Sequence, residues 1–290
     1  MKIALVTYDD KGKYPGEGAS EDNRLCNYLT QKGLSVNFEI WTDPTVNWCQ
    51  YDLIILKSPW DYFDRIEEFR NWLDLINKQP VKILNPTPVV RWNLAKSYLL
   101  EVEQAGFAIV PTVVIRQQDK FTAAPYFNRW QTDTIIVKPE VSGGAKNTFT
   151  ISKTETTTFE KQINALLATE NYLVQPFMPE IQTAGEWSLI FFNSQFSHAV
   201  RKVPQSGDFR VQHYFGGAII PDSPPAAVLA YAEKLLQQFA PGCLYARVDG
   251  LESTGGFKLM ELELIEPLLY LLDRKQLYDN YYQALIQLAR

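Results

Sequence analysis

No apolar run in this 290-residue chain approaches the ~18 to 20 residues of a membrane-spanning helix. The opening stretch, MKIALVTYDD, is too short in its apolar part for a signal peptide, so the chain reads as cytoplasmic with no membrane partner. Cysteine is scarce: Cys26, Cys49 and Cys243 are odd in number, scattered, and never in C-x-x-C spacing. That argues against a disulfide framework and a thiolate zinc site, and the three thiols are expected to be buried. The only histidines are His198 and His213, without metal-ligand spacing. No basic run interrupts a formal net charge of −5, which argues against nucleic acid as a partner. A Walker A loop is absent, as is any Ser-His-Asp or Cys-His arrangement for covalent enzyme chemistry. There is no repeat and no low-complexity tract.

What is present is the composition of an ordinary soluble enzyme, 46% hydrophobic and 21% charged, in a chain long enough for two or three packed units. Up to about residue 85, strand signals (KIALVTY, SVNFEIW, YDLIILKSP) alternate with helix signals (SEDNRLCNYLTQKG, DRIEEFRNWLDLIN), the pattern of a parallel α/β sheet. A proline-punctuated segment, NPTPVVRWNLAKSYLLEVEQAG, then gives a helix stopped by Gly106. Strands at TIIVKPE and YLVQPF flank a small-residue loop and a helix. Beyond Gly185 come four strands, EWSLIFFN, QFSHAVRKV, CLYARVDGLES and FKLMELELI, with two further helices. We expect units at 1–88, 89–177 and 178–290.

Three stretches carry chemistry. IIVKPEVSGGAKNT takes Lys138 out of an apolar strand into a glycine-rich loop, which sets a point charge and backbone N–H groups where phosphate oxygens could be cradled. A solvated strand exit is the plainer reading of that segment alone. YLVQPFMPEI is an apolar strand broken by Pro176 and Pro179, so backbone pairing to a flat ligand edge falls to Phe177 and Met178. Arg247 and Asp249 share one strand face, and Glu261 and Glu263 share another, because side chains of equal parity leave the same side. A hairpin would bring these four together. Same-face carboxylates repel, so the set is either a wet face with mutual ion pairs or a cation site, and oxygen ligands suit Mg²⁺. Trp60, Asp61 and Tyr62 follow a strand's C-terminal end, where open α/β sheets take ligands, and read either as substrate contacts or as loop packing.

The ordered set of Lys96, Lys138 with its glycine-rich loop, a hinge strand, Arg-x-Asp and Glu-x-Glu-x-x-x-Pro resembles the ATP-grasp ligases over about residues 85–267, in the branch of glutathione synthetase and D-alanine–D-alanine ligase. SPWDY, RWNLAKSYL, GEWSLIFF, HAVRKVP and GDFRVQHYFGG resemble a subgroup that includes the O-ureido-serine cyclo-ligase of cycloserine biosynthesis. The resemblance implies a fold that is α/β and α+β: an N-terminal parallel-sheet (pre-ATP-grasp) domain, a small lid and a C-terminal sheet. ATP and one or two Mg²⁺ ions are the implied cofactors. By position, Lys96 and Lys138 would hold ATP phosphates under Ser142, Gly143 and Gly144. Gln175 would join the cofactor-binding set, with Phe177 and Met178 at the adenine and Glu186 at the ribose. Asp249, Glu261 and Glu263 would hold Mg²⁺, and Arg247 would face the reacting group. Arg201, Lys202 and Arg210 would form a cationic rim, with His213 counted on the substrate side. The family commonly has Asn where this chain has Glu263, an added negative charge that bears on the number of ions.

The implied reaction joins a small carboxylate to a small amine through an acyl phosphate, on an amino-acid-like or peptide substrate, giving an amide or a ring. A homo-oligomer is allowed. Two rival readings are a nucleotide-binding protein without turnover, as in the synapsin family, and a ligase acting on a protein terminus, as in the ribosomal-protein glutamate ligases. The complete metal-ligand set opposes the first, and the Trp- and Tyr-rich N-terminal loop opposes the second.

Overall fold

The computed structural model describes residues 1–9, 17–203 and 217–290, so Arg210 and His213 lie outside the described residues. Strands β1 (Lys2–Thr7), β2 (Ser35–Ile40), β3 (Leu53–Ser58) and β4 (Lys82–Leu84) form a parallel sheet in the order β2-β1-β3-β4, with helices α1 (Glu17–Gln31) and α2 (Ile66–Asn77) between them. Every residue of β3 is buried, as expected of a strand covered on both faces. The expected α/β alternation is therefore found, with the short β4 as an addition. Cys243 is buried, but Cys26 is only half-buried and Cys49 is exposed, which corrects the expectation for those two thiols.

The single helix expected before Gly106 is instead two, α3 (Thr87–Asn93) and α4 (Tyr98–Gln104). In the break between them the Lys96 amide donates to the Glu140 carbonyl at 2.8 Å. A second sheet, antiparallel in the order β5-β8-β6-β7, comprises β5 (Val113–Ile115), β6 (Thr134–Pro139), β7 (Phe149–Ser152) and β8 (Tyr172–Pro176). Helices α5 (Ala124–Trp130) and α6 (Thr156–Leu166) contribute to one apolar cluster with Ile135, Val137, Tyr172 and Val174. Lys138 and Gln175, of the opposite parity on their strands, leave the other face.

The third sheet is antiparallel, in the order β11-β10-β9-β12-β13. Its strands are β9 (Glu186–Phe192), β10 (Gln195–Val203), β11 (Ala218–Asp222), β12 (Tyr245–Ser253) and β13 (Gly256–Glu263); α7 (Glu180–Ala184), α8 (Ala226–Phe239) and α9 (Lys275–Ala289) complete the chain. One face buries Trp187, Leu189, Phe191, Val248 and Leu262 with residues of α4 and α8. On the other face Ile190, Phe192, Val200 and Tyr245 pack with the parallel sheet and α9. No helix of the described residues is long and apolar enough to cross a membrane.

β13 is an edge strand whose outer edge is satisfied by backbone at Leu259, which donates to the Ala108 carbonyl at 3.0 Å and accepts the Val110 amide at 2.9 Å, and by side chains nearer its C-terminal end. Tyr98 Oη donates to the Leu262 carbonyl and accepts its amide, while Asn93 bonds the Leu262 carbonyl at 2.8 Å and the Leu264 amide at 3.1 Å. Asn85, fully buried, donates to the Tyr245 and Leu264 carbonyls at 2.9 and 2.8 Å and accepts the Leu244 amide at 2.7 Å. Asn85→Ala orphans those groups, each worth about 1–3 kcal/mol when buried unpaired. We expect it to lower the unfolding free energy by about 3 kcal/mol, read as a shift of the urea midpoint at unchanged slope. A loss below about 1 kcal/mol would mean that water replaces the amide.

Candidate active site

Register alone builds a charged surface at one end of the third sheet. Glu186 lies opposite Lys202; Ser188, Asp249 and Glu261 form a second row; Ile190, Arg247 and Glu263 form a third. Lys202 Nζ pairs with Glu186 and, at 3.2 Å, with Asp249. Arg247 donates to Asp249 at 2.8 to 3.1 Å, pairs with Glu263, and donates to the Leu268 carbonyl at 3.0 Å. Its guanidinium stands 5.5 Å from the centroid of the Tyr270 ring. Ser188 adds a 2.6 Å bond to Asp249.

Two lysines approach from outside this sheet. Lys96, in the α3–α4 break, pairs with Glu261 at 3.0 Å and donates to the Ser142 carbonyl at 2.6 Å. Lys138 reaches the same field from β6: burial pushes its pKa down, while Glu261 pulls it back up. Gln175, buried beside it, donates to Thr112 at 2.8 Å. The loop from Ser142 leads through Gly144, whose φ of +58° suits glycine.

The carboxylates divide by their cations. Burial opposes the charge of Asp249, yet Arg247 and Lys202 outweigh it and hold the group down to about 2. Glu261 is also lowered, because Lys96 and Lys138 overcome its burial. Glu263 is pushed up to about 7 by burial, with Arg247 offsetting only part of that and Asp249 and Glu261 adding to it. Glu266, just past the end of β13, is pushed up to about 8 by burial and by Glu263. Sequence reasoning missed Glu266. Its signal was a third glutamate in ELELIEP, but strand parity does not extend past the strand's end.

Several expected site residues are placed elsewhere or engaged. Arg201 follows Lys202's opposite parity: it stacks on Trp187 at 4.3 Å and pairs with Asp222 at 2.7 Å, on the face away from the charged rows. It therefore does not join Lys202 in a rim. The Phe177 amide donates to the Thr134 carbonyl at 3.0 Å, and the Met178 carbonyl accepts the Ile181 amide at 3.2 Å. Asp61 turns to the Trp41 indole at 2.6 Å, which is loop packing. Trp60 donates to the Glu266 carbonyl at 3.3 Å, and the buried Tyr62 bonds the Glu266 carboxyl.

The repulsion expected between Glu261 and Glu263 is met by the protein's own cations, Lys96 for one and Arg247 for the other. Among the described residues no three acidic, histidine or cysteine side chains gather as a metal cage. Asp249 in particular is enclosed by Arg247, Lys202 and Ser188. The donor set still fits Mg²⁺, which binds through one or two carboxylates with substrate phosphates and waters completing its shell.

Glu263 and Glu266 hold protons more tightly in the folded chain than the ordinary value of 4.5, so the native state binds more protons up to about pH 8 and loses stability as pH rises through that window. Asp249 has the opposite sign: its contribution is present above its ordinary 3.8 and is lost as pH falls toward 2. Metal- and nucleotide-free protein should melt lower at about pH 8.5 than at about pH 6. Glu266→Gln should remove part of that difference in thermal melts, and an unchanged difference would place the Glu266 carboxyl in water.

Comparison with known proteins agrees with this geometry. Residues 100–245 match the family described as prokaryotic glutathione synthetase, ATP-grasp domain, and residues 3–85 match D-cycloserine synthetase DcsG, N-terminal domain. The cycloserine biosynthesis protein DcsG of Streptomyces lavendulae is 27% identical over 174 residues, which are 59% of this chain and 58% of that protein. The matched stretch thus spans little more than half of that relative's length. A crystal structure of D-cycloserine synthetase DcsG superposes with a TM-score of 0.86 at 24% identity, covering 100% of both chains. D-alanine–D-alanine ligase from Bacillus anthracis, complexed with ATP, superposes at 0.70 with 11% identity, covering 100% of this chain and 97% of that one. At such identities the two structures speak for the fold. The match over residues 100–245 takes in half of the chain, which belongs to the ATP-grasp ligases, enzymes that form carbon–nitrogen bonds with ATP and Mg²⁺.

Proposed function

We propose that this protein uses ATP to activate a small carboxylate as an acyl phosphate and then joins it to an amine, on an amino-acid-like substrate whose own amine closes a ring. The observation that carries this reading is the convergence of Lys96 and Lys138, from two different elements, on Glu261 beside the Arg247–Asp249–Glu263 cluster. The match of residues 3–85 to a DcsG N-terminal domain, and the relative from cycloserine biosynthesis, support ring closure on a small substrate.

In this reading Lys96 and Lys138 hold the phosphates and the loop Ser142-Gly143-Gly144 covers them. Gln175, Met178 and Glu186 line the nucleoside side, and Lys202, tied to Glu186, extends the positive potential along the sheet. Glu261 and Glu263 are the residues to hold Mg²⁺, which when bound neutralises phosphate charge. Arg247, fixed in place by Asp249, Glu263 and the Leu268 carbonyl, faces the transferring phosphoryl group. A substrate carboxylate oxygen attacks the γ-phosphorus as the bond to ADP breaks. The amine nitrogen then attacks the acyl carbon, loses a proton, and phosphate departs. Trp60 and Tyr62, with Glu266, form the substrate wall.

Phosphate release from ATP should be accelerated by one member of a panel of amino acids, dipeptides and ureido amino acids that includes D-isomers. For ring closure the product is lighter than its substrate by one water. ATP binding with no member accelerating release would favour a nucleotide-binding protein without turnover. Glu261→Gln keeps the side chain's shape and deletes one charge. We expect turnover to fall by roughly 10²-fold or more, as when a preorganised electrostatic group is lost, and the metal-free variant to melt below the parent because the buried Lys96 loses its partner, so turnover is compared at a temperature where both are folded. Full Mg²⁺-dependent activity in this variant would reduce the pair to a sheet face with ion pairs.

A further inference from the structure

The glycine-rich loop is seated on the N-terminal unit as well as on Lys96. Val141 packs against the apolar cluster of the parallel sheet. Gly143 lies against Phe63 so closely that a Cβ would come within 2.6 Å of its ring. Lys146 pairs with Asp64 and stands 5.8 Å from the centroid of the Phe63 ring. The neighbour that demands glycine at position 143 is thus an aromatic ring of the N-terminal unit. Phe63 and Asp64 belong to the turn Tyr62–Asp64, directly after Trp60 and Asp61, so the turn that meets Glu266 on one side carries the loop on the other.

We propose that Phe63 and Asp64 are positioning residues that seat loop 141–146, so that ordering of the turn at the substrate wall and closure of the loop over nucleotide are one coupled event. This rests on the reading of the loop as the cover of the ATP phosphates. Coupling of two sites through one element is reciprocal: substrate at the wall tightens nucleotide, and nucleotide under the loop tightens substrate. The seat is releasable, as turnover needs. The Lys146 side chain is 51% exposed, so solvent screens its pair with Asp64, and the ring contact is lost when the loop lifts.

The test reads the loop twice. Hydrogen exchange of amides 141–148 is followed in nucleotide-free protein, and affinity for Mg²⁺ with the non-hydrolysable analogue AMPPNP is measured by calorimetry. Asp64→Lys and Lys146→Asp should each speed exchange and weaken AMPPNP binding by about 3- to 10-fold, the scale of an exposed ion pair turned repulsive. The double variant Asp64→Lys/Lys146→Asp should return both toward the parent, a rescue that general destabilisation cannot give. Phe63→Ala should loosen the loop without touching charge. Single variants that exchange like the parent overturn the seat. Faster exchange with unchanged AMPPNP affinity overturns the coupling, and Gly144→Val then locates the fault. If that variant weakens AMPPNP, the cover reading stands and only the coupling fails; if it does not, the cover reading fails as well.

Discussion

An edge strand must find partners for its outward N–H and C=O groups, and the site depends on how β13 finds them. Here the backbone of Ala108 and Val110 serves Leu259, and toward the site the partners are the side chains of Asn93 and Tyr98, with Asn85 at the strand's continuation. Asn93 and Tyr98 flank the α3–α4 break, so satisfying the edge also sets where Lys96 stands. From there the lysine reaches Glu261 on the strand and Ser142 in the loop. A backbone obligation of the fold is thereby converted into the placement of a charge.

The charges themselves form a second level of constraint. Buried carboxylates and cations are each costly, and removing either partner leaves the other uncompensated. In the ligand-free chain Lys96, Lys202 and Arg247 pair with Glu261, Glu186 and Asp249, Arg247 is shared with Glu263, and burial pushes Glu263 and Glu266 up to about 7 and about 8. Anionic phosphates arriving alone would draw the cations away and strand the carboxylates. Phosphates arriving with a divalent cation bring a positive charge for the carboxylates while they draw on the lysines, which is the physical reason a nucleotide and a metal suit this cleft better together than the nucleotide alone.

Much of this was legible in the sequence because two rules are local. Strand–helix alternation gave the parallel sheet, and side-chain parity put Glu261 with Glu263 and Arg247 with Asp249, as the register of β12 and β13 bears out. The same parity rule, applied to Lys202, would have set Arg201 on the opposite face, where it stacks on Trp187. What was not legible depended on distant contacts. The helix break carrying Lys96 has no proline or glycine within it. Glu266 lies past the strand's end, and the backbone partners of Phe177 and Met178 come from pairing and turn geometry. Cys49 is exposed because it lies in a surface 3-10 turn, a placement that cysteine's usual burial does not foretell.

The division of labour follows from where the matches fall. The matched ATP-grasp stretch carries Lys138, the glycine-rich loop, Glu186 and Lys202, all groups that suit a nucleotide shared by many ligases. The stretch matching the DcsG N-terminal domain carries Trp60, Tyr62 and the turn that ends at Asp64. Fold similarity persists at 11% identity to a ligase complexed with ATP, so the sheets alone do not select a substrate. In the proposed reading, selection belongs to the part of the chain that faces Glu266 without contributing a cation to the charged rows. That part also presses Phe63 against Gly143, which in the proposed reading gives substrate recognition a physical route to the glycine-rich loop.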